Sequence, residues 1–381
     1  MEAKGTCANG FEAVQRAFEA MFDDSHEFGG AVCIQVGGET VVDLWAGVAD
    51  PQGEKPWDRD TLGNTFCTVK PFAAVALLML VEEGKLDLDK PVAHYWPEFA
   101  QGGKGQVTLR QVMAHTSGIP ALRAPNHNAK MYDWEHMTEV LAAEPLWWEP
   151  GTDMGYATTV YGWIVGEMIR RADGRDPCTF IHEEISQPNE LDVHLGVDEQ
   201  HFHRIAHYGD SKGRVGDRYA EDLRQVLISQ PSHVATLAFT NPGMVPKRTS
   251  DPRWWGYQQP GVSGYGTAHG LAGFYSALLG GRLIGPELLS EFTREHSNGM
   301  DRIWMRPMRY GLGCMMEQPD DPAASHGMGP NTFGHIGLGG PISFADPDRD
   351  VSFGFVTTTS GRHMMIDPRA RELAELAYAA L

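Results

Sequence analysis

The chain has little of what marks a secreted or membrane-bound protein. Of 381 residues only five are cysteine: Cys7, Cys33, Cys67, Cys178 and Cys314. Their number is odd and no two lie close in sequence, which argues against a disulfide framework or a zinc knuckle and for reduced thiols. No apolar run is long enough to span a bilayer. Residues 1–10 have no basic stretch followed by an apolar core, so no secretory leader is read there. The expectation is a cytoplasmic protein. Positive charge is scarce, with 31 Lys and Arg against 50 Asp and Glu and a formal net charge of −19. A surface that acidic repels phosphate backbones and anionic lipid, so nucleic acid and membranes are poor partners. A neutral small molecule is not excluded, nor is an oligomer.

Apolar residues, by contrast, are plentiful at 42%, enough for a full core. Length suggests two to three domain-sized units, or one large domain with insertions. Phe11, Val14, Phe18, Met21 and Phe22 recur at helical spacing within residues 11–23. Residues 31–36 and 40–46 are β-rich runs joined by Gly37-Gly38, a hairpin pattern. Between residues 62 and 84 the period becomes helical, with Gly84 as a C-terminal cap. Helices are also expected over 160–171, 267–279 and 369–381. Residues 206–224 and 241–259 read as long surface loops. Period-two runs return at 311–316, 333–336, 342–345 and 352–357. Strands at both ends and helices between predict an α/β fold: one antiparallel sheet flanked by helices, with an inserted helical region. The expected division is residues 1–64 with 255–381 as the sheet unit and residues 65–254 as the helical unit.

One local arrangement carries chemistry. Cys67-Thr68-Val69-Lys70 sits where the long helix starts. Positions i and i+3 share a helix face, so thiol and amine can meet. A helix N-terminus and a neighbouring ammonium both favour an anion there. Pro71 falls in the first turn, where a missing N–H is tolerated. A nucleophile followed three residues later by Lys is the Ser-Lys arrangement with sulfur in place of oxygen. The bland alternative is a small packed Cys and a surface Lys.

The surrounding residues add a resemblance. Asn64–Lys70 with the run from Leu77 to Asp89 resembles the nucleophile helix of family VIII carboxylesterases, relatives of class C β-lactamases in the penicillin-recognising group. Tyr95-Trp96-Pro97-Glu98-Phe99, His115-Thr116-Ser117-Gly118, Glu149-Pro150-Gly151, Gly155-Tyr156, Tyr161-Gly162-Trp163 and Gly334-His335-Ile336-Gly337 continue it. The resemblance runs from about residue 11 to the end and is weakest over 195–260. It implies Cys67 where the family has its serine nucleophile, with Lys70 beside it; the chain contains no Ser-x-x-Lys. The second motif falls on Tyr156, Ala157 and Thr158, so its Tyr is present and its Asn is not. The third falls on His335, Ile336 and Gly337, without its Lys. Both departures point to the esterase branch and to weak or absent β-lactamase activity.

The resemblance further implies an oxyanion hole from the backbone N–H groups of Cys67 and Leu338, with His335, Gly337 and Leu338 bordering the substrate. Tyr156, held as phenolate by a neighbouring ammonium, is expected to move protons. Trp147-Trp148 and Trp254-Trp255 are read either as an acyl pocket or as core anchors. Gly209-Asp210-Ser211-Lys212-Gly213 matches a nucleophile elbow in pattern but lacks its strand and helix. His201, His203, His207 and Asp210 read as a solvated loop, so no metal and no cofactor are expected. The predicted activity is hydrolysis of carboxylic esters through an acyl-enzyme. Its rivals are acyl transfer to an alcohol or amine, a binding protein whose nucleophile has drifted, and an esterase into which the cysteine was introduced.

Overall fold

The computed structural model describes residues 1–23, 27–50, 53–126, 128–209, 216–243, 249–361 and 363–381. Five strands of the main sheet come early and late as expected. The hairpin is formed by β2 (Gly29–Val36) and β3 (Glu39–Gly47), after a short β1 (Lys4–Cys7). Its turn glycines, Gly37 and Gly38, have φ of 57° and 82°, a conformation that side chains resist. Two three- or four-residue strands follow, β4 (Gly63–Phe66) and β5 (Val193–Leu195), then β6 (Gly264–Gly266). The remainder are β7 (Ser297–Asp301), β8 (Arg306–Tyr310), β9 (Met315–Met316), β10 (Phe333–Ile336), β11 (Ile342–Asp346) and β12 (Val351–Thr357).

Nine strands make one antiparallel sheet in the order β1-β3-β2-β12-β11-β10-β9-β8-β7. The two ends of the chain meet where β2 pairs with β12, Ile34 opposite Phe353. Side chains alternate faces along a strand. Val32, Ile34, Leu44, Phe344 and Phe353 therefore share one face, covered by α1 (Glu12–Ala20) and the C-terminal helix. Ala31 and Cys33 share the other, which α4 (Ala268–Leu279) covers; α2 (Lys70–Glu82) stacks on α4 through Phe72 and Phe274, and α3 (Val160–Asp173) packs on α2. The C-terminal helix is α5 (Pro368–Ala379). Helix α2 is apolar nearly all round and is buried nearly all round. Among the described residues no helix is long and apolar enough to cross a membrane.

Several expectations need correction. Residues 63–66, read as the start of a helix, are a strand, and β4, β6 and β5 form a second three-stranded sheet. The run 311–316 is a strand only at Met315–Met316, because Gly313 turns at φ 81°. The two supposed surface loops contain helices at Arg218–Ser229 and Pro252–Trp255, capped by Asp217 and Asp251. The Gly209–Gly213 pattern lies mostly outside the described residues.

Candidate active site

Strand β4 delivers the chain to Cys67 through a strained residue. Phe66 has φ 48° and ψ −119°, a region side chains avoid at a cost of roughly 1–3 kcal/mol. Neighbours hold it there. Its ring meets Tyr208 edge-on at 5.1 Å and Trp254 at 6.4 Å, and its N–H donates to Asn64 Oδ1 at 3.2 Å. Cys67–Val69 then form one turn of 3₁₀ helix, and α2 begins at Lys70. Cys67 is 6% exposed and Lys70 is fully buried.

The Lys70 amine is tightly placed. Nζ donates to the carbonyls of Thr158 and Gly261, both at 2.8 Å. It lies 4.9 Å from the centre of the Tyr156 ring. Burial pushes its pKa down, and the nearby Cys67 thiol opposes that. Cys67 is the side chain that the nitrogen interacts with beside these two carbonyls. The same thiol acts on the Tyr156 phenol.

Tyr156 is also buried, in the loop ahead of α3. Here the phenolate expectation fails. Burial, then Cys67, push the phenol well above its ordinary value. The phenol is a proton donor at rest. Cys67 and His335 on β10 flank it: Tyr156 Oη lies 3.4 Å from His335 Nε2, and His335 Nδ1 lies 2.7 Å from the Ile336 carbonyl. A carbonyl only accepts, so Nδ1 carries the hydrogen and Nε2 is free to accept. Burial, aided by Lys70, pushes His335 down to about 3, which keeps it neutral.

Residues that the sequence did not single out hold the Tyr156 loop. Tyr156 N–H donates to Asp301 Oδ2 at 2.9 Å, and Ala157 N–H to His115 Nδ1 at 3.3 Å. Asp301 also accepts from the Tyr310 hydroxyl at 3.0 Å and from the N–H groups of Ile303 and Trp304. Burial raises its pKa to about 6 against these donors. Gln259 orders the Gly261 carbonyl's segment by accepting from Gly261 N–H at 2.7 Å and donating to Thr159 O at 2.7 Å. Nothing local in the sequence marks Asp301. His115 stands in one of the strings that carry the resemblance, with no role implied for it there.

The third segment closes against the first. A Cβ on Gly337 would lie 2.3 Å from the Thr65 carbonyl oxygen, so only glycine lets β10 approach β4 this closely. Leu338 follows, 37% exposed, its carbonyl accepting from the Tyr208 hydroxyl at 2.6 Å. Among the described residues, the N–H groups of Cys67 and Leu338 show no protein acceptor.

Comparison with known proteins decides the family. The pattern of the family described as Beta-lactamase matches residues 14–378. The chain belongs to the β-lactamase family. Among curated relatives, Esterase/beta-lactamase LipL of Mycobacterium tuberculosis is 30% identical over 370 residues, covering 91% of this chain and 80% of that protein. A penicillin-binding protein homologue from Caulobacter crescentus has a TM-score of 0.90 at 33% identity, with both chains fully covered. The crystal structure of a family VIII carboxylesterase has a TM-score of 0.89 at 32% identity, again over the whole of both chains. The fold is that of β-lactamases and penicillin-binding proteins.

Within this β-lactamase-family frame the tryptophans are anchors. Trp254 packs on Phe66, Trp147 donates to Ala121 O at 2.8 Å, and the Trp148 ring sits against Gly155, the residue before Tyr156. Trp255 donates to Thr249 O at 2.6 Å. His201 and His203 lie on a 3₁₀ turn at Glu199–Arg204. Asp210 lies outside the described residues.

Proposed function

We propose that this chain is a carboxylesterase-type hydrolase that works through an acyl-enzyme on Cys67. The observation that carries this reading is the fully buried Lys70, fixed by two carbonyls and turned towards the thiol. Its esterase-named relative supports the class of reaction. In the first step the sulfur attacks the ester carbonyl and its proton passes to the Lys70 amine. The Cys67 and Leu338 N–H groups take the charge that develops on the carbonyl oxygen. Tyr156 gives its proton to the departing alkoxide and is re-protonated from Lys70. Water then attacks the thioester, one of its protons retraces this route, and the acid leaves with the thiol restored. His335 aims the Tyr156 hydroxyl and stays neutral throughout.

We further read the molecule as a sheet unit, 1–64 with 255–381, and a helical unit, 65–254. Cys67, Lys70 and Tyr156 come from the second and His335–Leu338 from the first, with the substrate between them. The neutral His335 in place of a lysine offers no charge to a penicillin carboxylate. A panel of p-nitrophenyl esters and a chromogenic cephalosporin tests the reading. We expect ester turnover, retained or raised in Cys67→Ser and abolished in Cys67→Ala, and little or no cephalosporin turnover. Full ester activity in Cys67→Ala would remove the proposed nucleophile.

A further inference from the structure

A second cluster of reactive side chains lies on the same sheet face as His335 but away from it. Cys33 on β2 and Asp43 on β3 are directly opposite each other across the strand pair. Such cross-strand partners project to one face with Cβ atoms about 5 Å apart. His269, in the first turn of α4, closes over them. Its Nδ1 is 3.6 Å from Cys33 Sγ and 3.6 Å from Asp43 Oδ2, and the three donor atoms all lie within 4.8 Å of one another. Cys33, Gly354, Ser343 and His335 form one row across β2, β12, β11 and β10. Three strand spacings put the cluster on the order of 14 Å from His335.

The geometry is not that of a catalytic relay. A nucleophile–His–acid triad uses the two ring nitrogens in opposite directions. Here sulfur and carboxylate both address Nδ1, and Cys33 is fully buried, out of reach of a substrate. Three different ligand atoms instead converge on one point. Around a tetrahedral zinc, with bonds of about 2.0–2.3 Å, N···S and N···O edges come to about 3.5 and 3.3 Å. The observed edges are close to these. A cation already serves the cluster: Arg59 Nε is 2.7 Å from Asp43 Oδ2, and Arg59 Nη2 is 3.4 Å from His269 Nδ1. Arg59 is largely solvent-exposed and can swing away. A cleft of about 750 Å³, lined by Arg59, His269, Asp58 and Asp192, leads in from solvent.

We propose that Cys33, Asp43 and His269 form a binding site for a zinc-type divalent transition cation, separate from the Cys67 site. The cation displaces Arg59 from Asp43. Cys33 binds as thiolate and its proton leaves to solvent, and water completes the coordination. Sequence spacing hides the site, because its ligands come from two strands and a helix more than 220 residues further on.

Titration with Co²⁺ and Zn²⁺ tests it, on the wild-type protein and on Cys67→Ser. We expect one ion per chain in both, with a thiolate-to-cobalt charge-transfer band in each. Cys33→Ser should lose the band. His269→Gln, a half-exposed position that should not disturb folding, should weaken binding roughly tenfold or more. Arg59→Ala should tighten it. No binding, binding unchanged in His269→Gln, or a band lost in Cys67→Ser but kept in Cys33→Ser would overturn the proposal.

Discussion

At the scale of single residues, environment separates chemically identical groups. Burial raises the thiol pKa of Cys7 modestly, of Cys33 and Cys178 strongly, and of Cys314 to about 12. With Lys70 beside it at the start of α2, Cys67 should be labelled first by sub-stoichiometric iodoacetamide, read by peptide mapping, although Cys7 is more exposed. Dominant label on Cys7 would count against an activated Cys67. His335 makes a pH-dependent prediction. Its pKa is about 3 when folded and near 6.5 when unfolded. Between those values the unfolded chain holds a proton the native one lacks, so acidification below about 6.5 costs stability. His335→Gln removes that term. Between pH 7.5 and 5, urea unfolding should show the variant losing about 2 kcal/mol less than wild type. Equal losses would mean that folded His335 accepts a proton. Much of this was legible beforehand: Cys67, Lys70, Tyr156 and His335 stand in recognisable strings. The protonation of Tyr156 was not, since it follows from burial and from the Cys67 thiol beside it. Nor were Asp301 and His115, which act by accepting hydrogen bonds from a backbone more than 40 residues away.

At the scale of elements, the long periodic segments were the readable ones. The β2–β3 hairpin and helices α2, α3, α4 and α5 announce themselves by apolar spacing and by glycine or Asp and Thr caps. Strands β4, β5 and β6 did not, because three or four residues are too few to display a period. That omission matters, since β4 presents Cys67 and β10 packs on it. The close approach at Gly337 gives the sharpest prediction here. Alanine at 337 must push its strand off the Thr65 carbonyl, where its Cβ would sit at 2.3 Å. The Leu338 N–H moves with it. We expect kcat for a p-nitrophenyl ester to fall about a hundredfold, as when an oxyanion donor is lost, with KM little changed. A Gly337→Ala enzyme with unchanged kcat would place the oxyanion hole elsewhere.

At the scale of the whole molecule, one sheet ties the chain's two ends together and both of its faces are covered. The outer face depends on α1 and α5, where Leu373 is almost fully buried beside Ala370 and Ala374. Leu373→Ala should cost about 2–5 kcal/mol in denaturant unfolding while leaving KM unchanged. The sheet's antiparallel order and the joining of both termini were foreseen from period-two runs. The helices in the region 206–259 were not, because their sequences are polar and interrupted by Pro and Trp. The central claim is a covalent one, and intact-protein mass spectrometry tests it most directly. The enzyme is mixed with a p-nitrophenyl ester, quenched in acid during turnover, weighed and digested. The prediction is a single acyl adduct on the peptide carrying Cys67, released by neutral hydroxylamine as a thioester would be, and absent from Cys67→Ala. Turnover with no adduct on Cys67, together with wild-type rates in Cys67→Ala, would contradict it.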